Sequence, residues 1–291
     1  FKGCCDLPCA RLESRPMKIQ EAITFLAGQF TAIDDFRGQG LNRHRSPEFK
    51  TNVAALVACV VLFGNNFFVI GGPAQKWVMQ NAIDFVVSMQ PGDLRATLLD
   101  VVSISRNAYW SLGCLFFYFV IPALVIRLVF REKLSEYGLS PKGFFKHLPI
   151  YLLLFLPVAA GTVLVSYSDS FQRTYPFYHN PRFIWDMLLW DFLYCVQFFG
   201  LEFFFRGFMV HSMKFKLGSS AVWVMVLPYL MIHFTKPAPE AFGAIIAGTV
   251  LGVLSLRTCS IWGGVFIHCM VAIMMDWLSL IHRGAFPSIL E

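Results

Sequence analysis

Four ionisable side chains lie within apolar stretches of the sequence, where burial of charge is costly and usually serves a function. They are Glu202, Arg206, His233 and His268. A carboxylate beside two histidines can activate a water molecule, because the carboxylate accepts its proton while an imidazole orients the water or stabilises the oxyanion. The carboxylate and the two histidines can instead bind a divalent metal such as zinc. These residue types therefore indicate hydrolysis and leave both mechanisms open.

The same residues also have structural interpretations. A single intramembrane histidine is often a hydrogen-bonded packing residue, and a Glu–Arg pair four residues apart can be a clasp near a helix end. Asp276 follows His268 by eight residues and can orient that histidine or cap the helix. Asp191 lies three helical turns before Glu202 on nearly the same face.

Helical spacing predicts which of these groups lie close together. Glu202 and Arg206 are four residues apart and share a helix face, where the arginine can hold the carboxylate ionised. Glu202 precedes Leu217 by 15 residues and His233 follows it by 16. With a hairpin at that point, both lie roughly 22–24 Å from the turn and at the same level. The depth of His268 is not fixed by this argument.

The composition predicts that these groups are held in a membrane. Of the 291 residues, 56% are hydrophobic and only 14% are charged, whereas soluble domains carry about a quarter charged residues. Apolar stretches near the 20 residues of one membrane span cover about 53–72, 109–130, 146–168, 183–206, 219–235, 240–256 and 261–282. Residues 74–90 are typical of an amphipathic helix. We therefore expect an all-α, polytopic transmembrane helix bundle with about seven to eight spans.

The charge distribution predicts the orientation of the bundle. Basic residues are concentrated in residues 1–52 and 131–146, which favours a cytoplasmic N-terminus. The net charge of +6 fits cytoplasmic loops, and no basic run alternates with exposed aromatics, so nucleic-acid binding is not expected. We interpret residues 1–52 as a tail and linker, of which 1–16 can be non-native, and residues 53–291 as the transmembrane domain. Its catalytic core is expected at about 183–282, and a bacterial inner membrane is the expected location.

The functional residues occur in three short motifs. The first is Leu201-Glu202-Phe-Phe-Phe-Arg206-Gly207, the second runs from Tyr229 to His233, and the third from His268 to Ala272. In order and spacing they resemble the motifs Glu-Glu-x-x-x-Arg, Phe-x-x-x-His and His-x-x-x-Asn/Asp of the CAAX-protease and bacteriocin-processing (CPBP, or Abi) family of intramembrane proteases. The resemblance covers about residues 130–275.

The resemblance implies an intramembrane endopeptidase that cleaves a membrane-anchored or lipid-modified protein or peptide in the bilayer. Glu202 would be the general base, Arg206 would orient it, and His233 and His268 would position the water or the oxyanion. If the enzyme is metal-dependent, Glu202, His233 and His268 would be the ligands. No cofactor is firmly implied, although zinc is possible. Two positions depart from the family pattern: Leu201 replaces the first glutamate of the pair, and Ala272 replaces a polar residue.

Two other functions remain open at this point. Loss of the glutamate at position 201 favours a non-catalytic scaffold or binding protein that keeps the fold. Asp191, Glu202 and the histidines can alternatively form a proton relay in a transporter. Transporters more often show repeated halves with interrupted helices, and no internal repeat is visible in the sequence.

Overall fold

The predicted all-α class is confirmed. The computed structural model describes residues 24, 28–31, 33–34, 45–90, 92, 94–178, 181 and 183–284, and these contain helices joined by short connections with no strand. Most of the predicted N-terminal tail lies outside the described residues, as do the cysteines at 4, 5 and 9.

Ten helices of the described chain are numbered here. They are α1 (Pro47–Gly64), α2 (Pro73–Met89), α3 (Leu94–Leu115), α4 (Lys142–Val165), α5 (Asp169–Thr174), α6 (Ile184–Glu202), α7 (Val210–Leu217), α8 (Ser220–Met231), α9 (Ala238–Thr258) and α10 (Trp262–His282). Wider π-helical turns extend α1 over Asn65–Val69, join α6 to α7 over Phe203–Met209, and continue α3 over Phe116–Val120 and, after Ile121–Leu124, Val125–Phe130. A 3₁₀ turn occupies Leu134–Tyr137.

Six segments of the described chain are long and apolar enough to cross a membrane. They are Pro47–Met89, Val101–Phe130, Phe144–Val165, Ile184–Leu217, Ala238–Thr258 and Trp262–His282. The remaining apolar helix, α8, has 12 residues, about 18 Å of helix, which is too short for a hydrocarbon core of about 30 Å. Six long segments and one short helix agree roughly with the predicted span count.

Local sequence determines where these helices begin and end. The Ser46 hydroxyl accepts from the backbone N–H of Phe49 at 3.2 Å and caps α1, in which Pro47 occupies the first turn. Gly218 ends α7 with φ +57° and ψ −132°, a conformation that residues with a Cβ rarely adopt. This glycine makes the predicted hairpin, because α8 begins two residues later.

The chain divides into two compact units. Among the described residues, the first combines those up to Ala58 with Pro122–Leu148 and Glu202–Gly264, and the second combines Cys59–Ile121 with Pro149–Leu201 and those from Val265 to residue 284.

In the first unit, helices α8 and α9 pack closely through small residues, as the Ala244, Gly248 and Gly252 spacing predicts. A Cβ at Gly252 would lie 2.9 Å from the side chain of Val222 on α8. A Cβ at Gly248 would lie 3.1 Å from the ring of Tyr229. The small-residue face of α9 therefore lets Tyr229 lie against the helix.

The second unit has an aromatic core in which two aspartates accept hydrogen bonds. Asp276 accepts from the indole of Trp190 at 2.6 Å and from the backbone N–H of Phe177 at 3.1 Å. Asp191 accepts from the indole of Trp277 at 2.9 Å. These contacts give both aspartates a structural role within this unit.

A buried ion pair in the first unit allows a test of stability. Lys50 donates to Glu132 at 2.6 Å, and the two side chains are 2% and 7% exposed. Removing one partner from a buried pair leaves the other charge uncompensated and costs about 3–5 kcal/mol. We therefore expect Glu132→Gln to lower the thermal unfolding temperature of the protein in detergent.

The matched control is the exposed pair between Lys216 and Glu48, which are 48% and 58% exposed at 2.8 Å. Since exposed pairs contribute little to stability, Glu48→Gln should leave the unfolding temperature unchanged. Equal shifts for the two variants would contradict the assigned role of the buried pair.

Candidate active site

The predicted ion pair between Glu202 and Arg206 forms in the first unit. Oε1 of Glu202 lies 3.0 Å from a terminal nitrogen of Arg206, and both side chains are completely buried. Glu202 ends α6, and Arg206 lies within the π-helical segment Phe203–Met209. Such wide turns are frequent at functional sites. A completely buried charged pair is either a structural clasp that stabilises the fold or part of a reaction site.

Tyr229 of α8 also contacts the arginine. Its ring centroid lies 4.0 Å from the guanidinium carbon of Arg206, within the range of a cation–π interaction. The ring of Phe205 meets Tyr229 edge-on at 5.2 Å. Arg206 thus contacts both the carboxylate of Glu202 and the ring of Tyr229.

His233 lies in the turn after α8, so its predicted place inside a spanning helix is wrong. The helix ends at Met231, and the backbone N–H of His233 closes a tight turn by donating to the carbonyl of Leu230 at 2.9 Å. Pro237 then precedes α9, whose first residue is Ala238. The chain therefore changes direction within a stretch that stays apolar in sequence.

Tyr229 also contacts His233, which links the histidine to the ion pair. The two ring centroids are 4.7 Å apart, and Nδ1 of His233 lies 2.7 Å from the carbonyl oxygen of Tyr229. Since a carbonyl only accepts, Nδ1 carries the hydrogen, and the neutral ring has its lone pair on Nε2. The structure therefore brings Glu202, Arg206 and His233 together through Tyr229.

Gly264, which the sequence motifs do not include, lies against the carboxylate of Glu202. A Cβ built at position 264 would overlap Oε2 of Glu202. The signal available in the sequence is the pair Gly263-Gly264 near the start of α10, because glycine is disfavoured inside helices by about 1 kcal/mol relative to alanine. Gly264 therefore leaves the space that the carboxylate occupies.

His268 lies in α10 and belongs to the second unit. Its ring stacks on Phe198 with a centroid distance of 5.3 Å and an interplanar angle of 12°. The side chain is half-buried. His268 follows Gly264 by four residues, so the two positions share a face of α10.

The contacts of the remaining residues noted in the sequence indicate structural roles. Asp276, expected to orient His268 or to cap the helix, accepts from Trp190 and Phe177. Phe203, Phe204 and Phe205 are fully buried and belong to the packing.

Within the described ranges, no three His, Cys, Asp or Glu side chains are grouped so that they could hold a metal ion together.

Comparison with known proteins identifies the part of the chain that contains this site. Residues 183–274 match the family model described as type II CAAX prenyl endopeptidase Rce1-like. No curated protein and no solved structure shows significant similarity to the chain. The family match confirms the resemblance predicted from the motifs and supports a CAAX-type intramembrane protease.

Proposed function

Because residues 183–274 match the Rce1-like family of CAAX-type membrane proteases, we propose that this protein hydrolyses a peptide bond in a membrane-associated or lipid-modified protein. The observation that carries the proposal is the buried Glu202–Arg206 pair, linked through Tyr229 to His233. The glutamate, the arginine and the histidine occupy the family's motif positions.

In this proposal, Glu202 is the general base that takes a proton from the attacking water. The two oxygens of the Glu202 carboxylate have different roles. Oε1 lies 3.0 Å from a terminal nitrogen of Arg206 in a buried ion pair, which fixes the direction of the carboxylate. Oε2 lies against Gly264, where no side chain intervenes, and accepts the proton. A single glutamate thus serves as the base and as the partner of the arginine.

The two histidines stabilise the reacting groups in this proposal. Nε2 of His233 presents a lone pair when the ring is neutral, because Nδ1 donates to Tyr229. It orients the water, or, when protonated, donates to the oxyanion that forms on the scissile carbonyl. His268 acts as the second donor to that oxyanion. This role follows the family resemblance, in which His268 is the histidine of the third motif.

The rival interpretation is a non-catalytic scaffold, and one observation favours it. Leu201 occupies the position of the family's first glutamate and is buried, with 5% of its surface exposed. If the protein is a scaffold that lost its base, Leu201→Glu should create proteolysis that the wild type lacks. If Glu202 is the base, the same substitution adds a second buried carboxylate and should not raise activity.

The proposal is tested by comparing new protein termini in membranes from cells that produce wild type, Glu202→Gln or His233→Ala. We expect at least one terminus that only the wild type generates, since both variants lose a group that acts on the water. The matched control is His147→Ala, which alters a half-buried histidine of α4 outside the motifs and should keep that terminus. Identical profiles for all variants at equal membrane abundance would contradict the protease and favour the scaffold.

A further inference from the structure

The π-helical segment beside the ion pair changes the helical hydrogen-bond pattern around the carbonyl of Arg206. The backbone N–H of Val210 donates to the carbonyls of Phe205 and Gly207 and bypasses the carbonyl of Arg206 between them. Helical carbonyls that lack an N–H partner need another donor when they are buried. The Arg206 carbonyl accepts from the hydroxyl of Ser255 on α9, at 3.1 Å.

The Ser255 hydroxyl is itself held by a directional chain of hydrogen bonds. Its only hydrogen goes to the Arg206 carbonyl, so its oxygen must accept from Nε2 of His211, which lies 3.1 Å away. With the hydrogen of the neutral ring on Nε2, Nδ1 carries a lone pair and accepts from the ammonium of Lys214 at 3.1 Å. The direction of each hydrogen bond is thus set along the relay, which runs from Lys214 through His211 and Ser255 to the carbonyl of Arg206.

The relay is buried along its whole length. Lys214 is 4% exposed, His211 and Ser255 are each 2% exposed, and Arg206 is fully buried. Polar groups in such surroundings are costly when unpaired, and satisfied networks hold their members in one arrangement. A lysine, a histidine and a serine therefore act on the backbone of the residue whose side chain holds Glu202.

We infer that Ser255 is a positioning residue for Arg206, and that His211 and Lys214 fix the direction of its hydroxyl. The inference rests on the proposed function, because it assigns Ser255 to the same reaction site. The side chain of Arg206 must reach Glu202 at 3.0 Å and the Tyr229 ring at 4.0 Å. Because reaction geometry tolerates displacements of only about 0.5 Å, the backbone from which that side chain extends must be fixed.

The test uses Ser255→Ala, which removes the donor, and Ser255→Thr, which keeps a hydroxyl. We expect Ser255→Ala to lower the rate at which the wild-type-specific terminus appears by about tenfold, as for a buried carbonyl left without its donor. Ser255→Thr should restore most of the rate. Thr249→Ala is the matched control, because the Thr249 hydroxyl donates to the carbonyl of Ile245 within its own helix, at 2.8 Å. It should cleave at the wild-type rate.

A second measurement does not depend on activity. Backbone amide hydrogen exchange, followed by mass spectrometry on purified protein, should be faster around Phe203–Met209 in Ser255→Ala than in wild type or Thr249→Ala. His211→Phe, which keeps a ring but removes both nitrogens, should show a smaller increase in the same segment. Exchange in α4 should be unchanged in all variants, which shows that the fold is intact.

The outcomes separate this inference from the proposed function. Wild-type exchange and wild-type cleavage in Ser255→Ala, with cleavage abolished in Glu202→Gln, would overturn the role of Ser255 and leave the protease in place. Faster exchange at Phe203–Met209 without cleavage by any variant would keep the relay and overturn the protease. Equal losses in Ser255→Ala and Ser255→Thr, with unchanged exchange, would also overturn the inference, because the hydroxyl would then not be what matters.

Discussion

Glu202→Gln is expected to lower the rate of peptide cleavage by about a hundredfold to ten-thousandfold, the range that a positioned general base contributes. Glutamine has nearly the same shape as glutamate but cannot take a proton from water at neutral pH. The native carboxylate is completely buried and paired with Arg206 at 3.0 Å. Since the guanidinium of arginine is already protonated, the carboxylate is the member of the pair that can act as a base. The rate is measured on a peptide that spans the cut site found in the termini comparison.

A control must separate lost chemistry from lost folding, because Glu202→Gln also leaves the Arg206 charge buried without its partner. The double variant Glu202→Gln with Arg206→Met removes both charges and should recover unfolding temperature relative to the single variant. It should not recover cleavage. Recovery of cleavage in the double variant would mean that Glu202 matters only as the partner of the arginine, which is the clasp interpretation.

Gly264→Ala is expected to lower the cleavage rate by about a hundredfold, the loss that a misplacement of about 1 Å can cause. The added Cβ would overlap Oε2 of Glu202, so the carboxylate must move away from the position it occupies. The substitution introduces no charge, and alanine is favoured over glycine in a helix. Cleavage rate and unfolding temperature are measured on the same purified sample.

Gly243→Ala provides the matched control, since position 243 lies in α9 and a Cβ there meets no atom within 4 Å. This variant should keep the wild-type cleavage rate and unfolding temperature. If Gly264→Ala cleaved as fast as Gly243→Ala, the position of the Glu202 carboxylate would be irrelevant to the reaction, and the role proposed for it would be wrong.

Local features of this site are predictable from sequence, whereas contacts between distant segments are not. The Glu202–Arg206 pair is predicted because the two residues are four apart on one helical segment. The hairpin is predicted near Leu217 because one apolar stretch ends and the next begins there, and Gly218 makes the turn. Ser255 and Gly264 escape prediction, because their contacts join residues 49 and 62 positions apart in the chain, and neither residue type signals its partner.

Apolar composition also does not show where a helix ends. The stretch around His233 stays hydrophobic, but the backbone leaves α8 at Met231 and turns before Pro237. Conversely, α3 begins at Leu94, although Arg95 and Arg106 make the part before residue 109 too polar to be included in the predicted stretch. Hydropathy measures suitability for lipid, whereas helix ends depend on backbone hydrogen bonds.

The proposed function requires that this protein itself hydrolyses a peptide bond with Glu202 as the base. The most direct measurement uses purified wild type and Glu202→Gln in lipid vesicles, with the cut-site peptide in water labelled with heavy oxygen. Mass spectrometry of the product should show one heavy oxygen atom in the new C-terminal carboxylate for wild type, and no product for Glu202→Gln. Absence of product from folded wild type, or equal product from both proteins, would contradict the account.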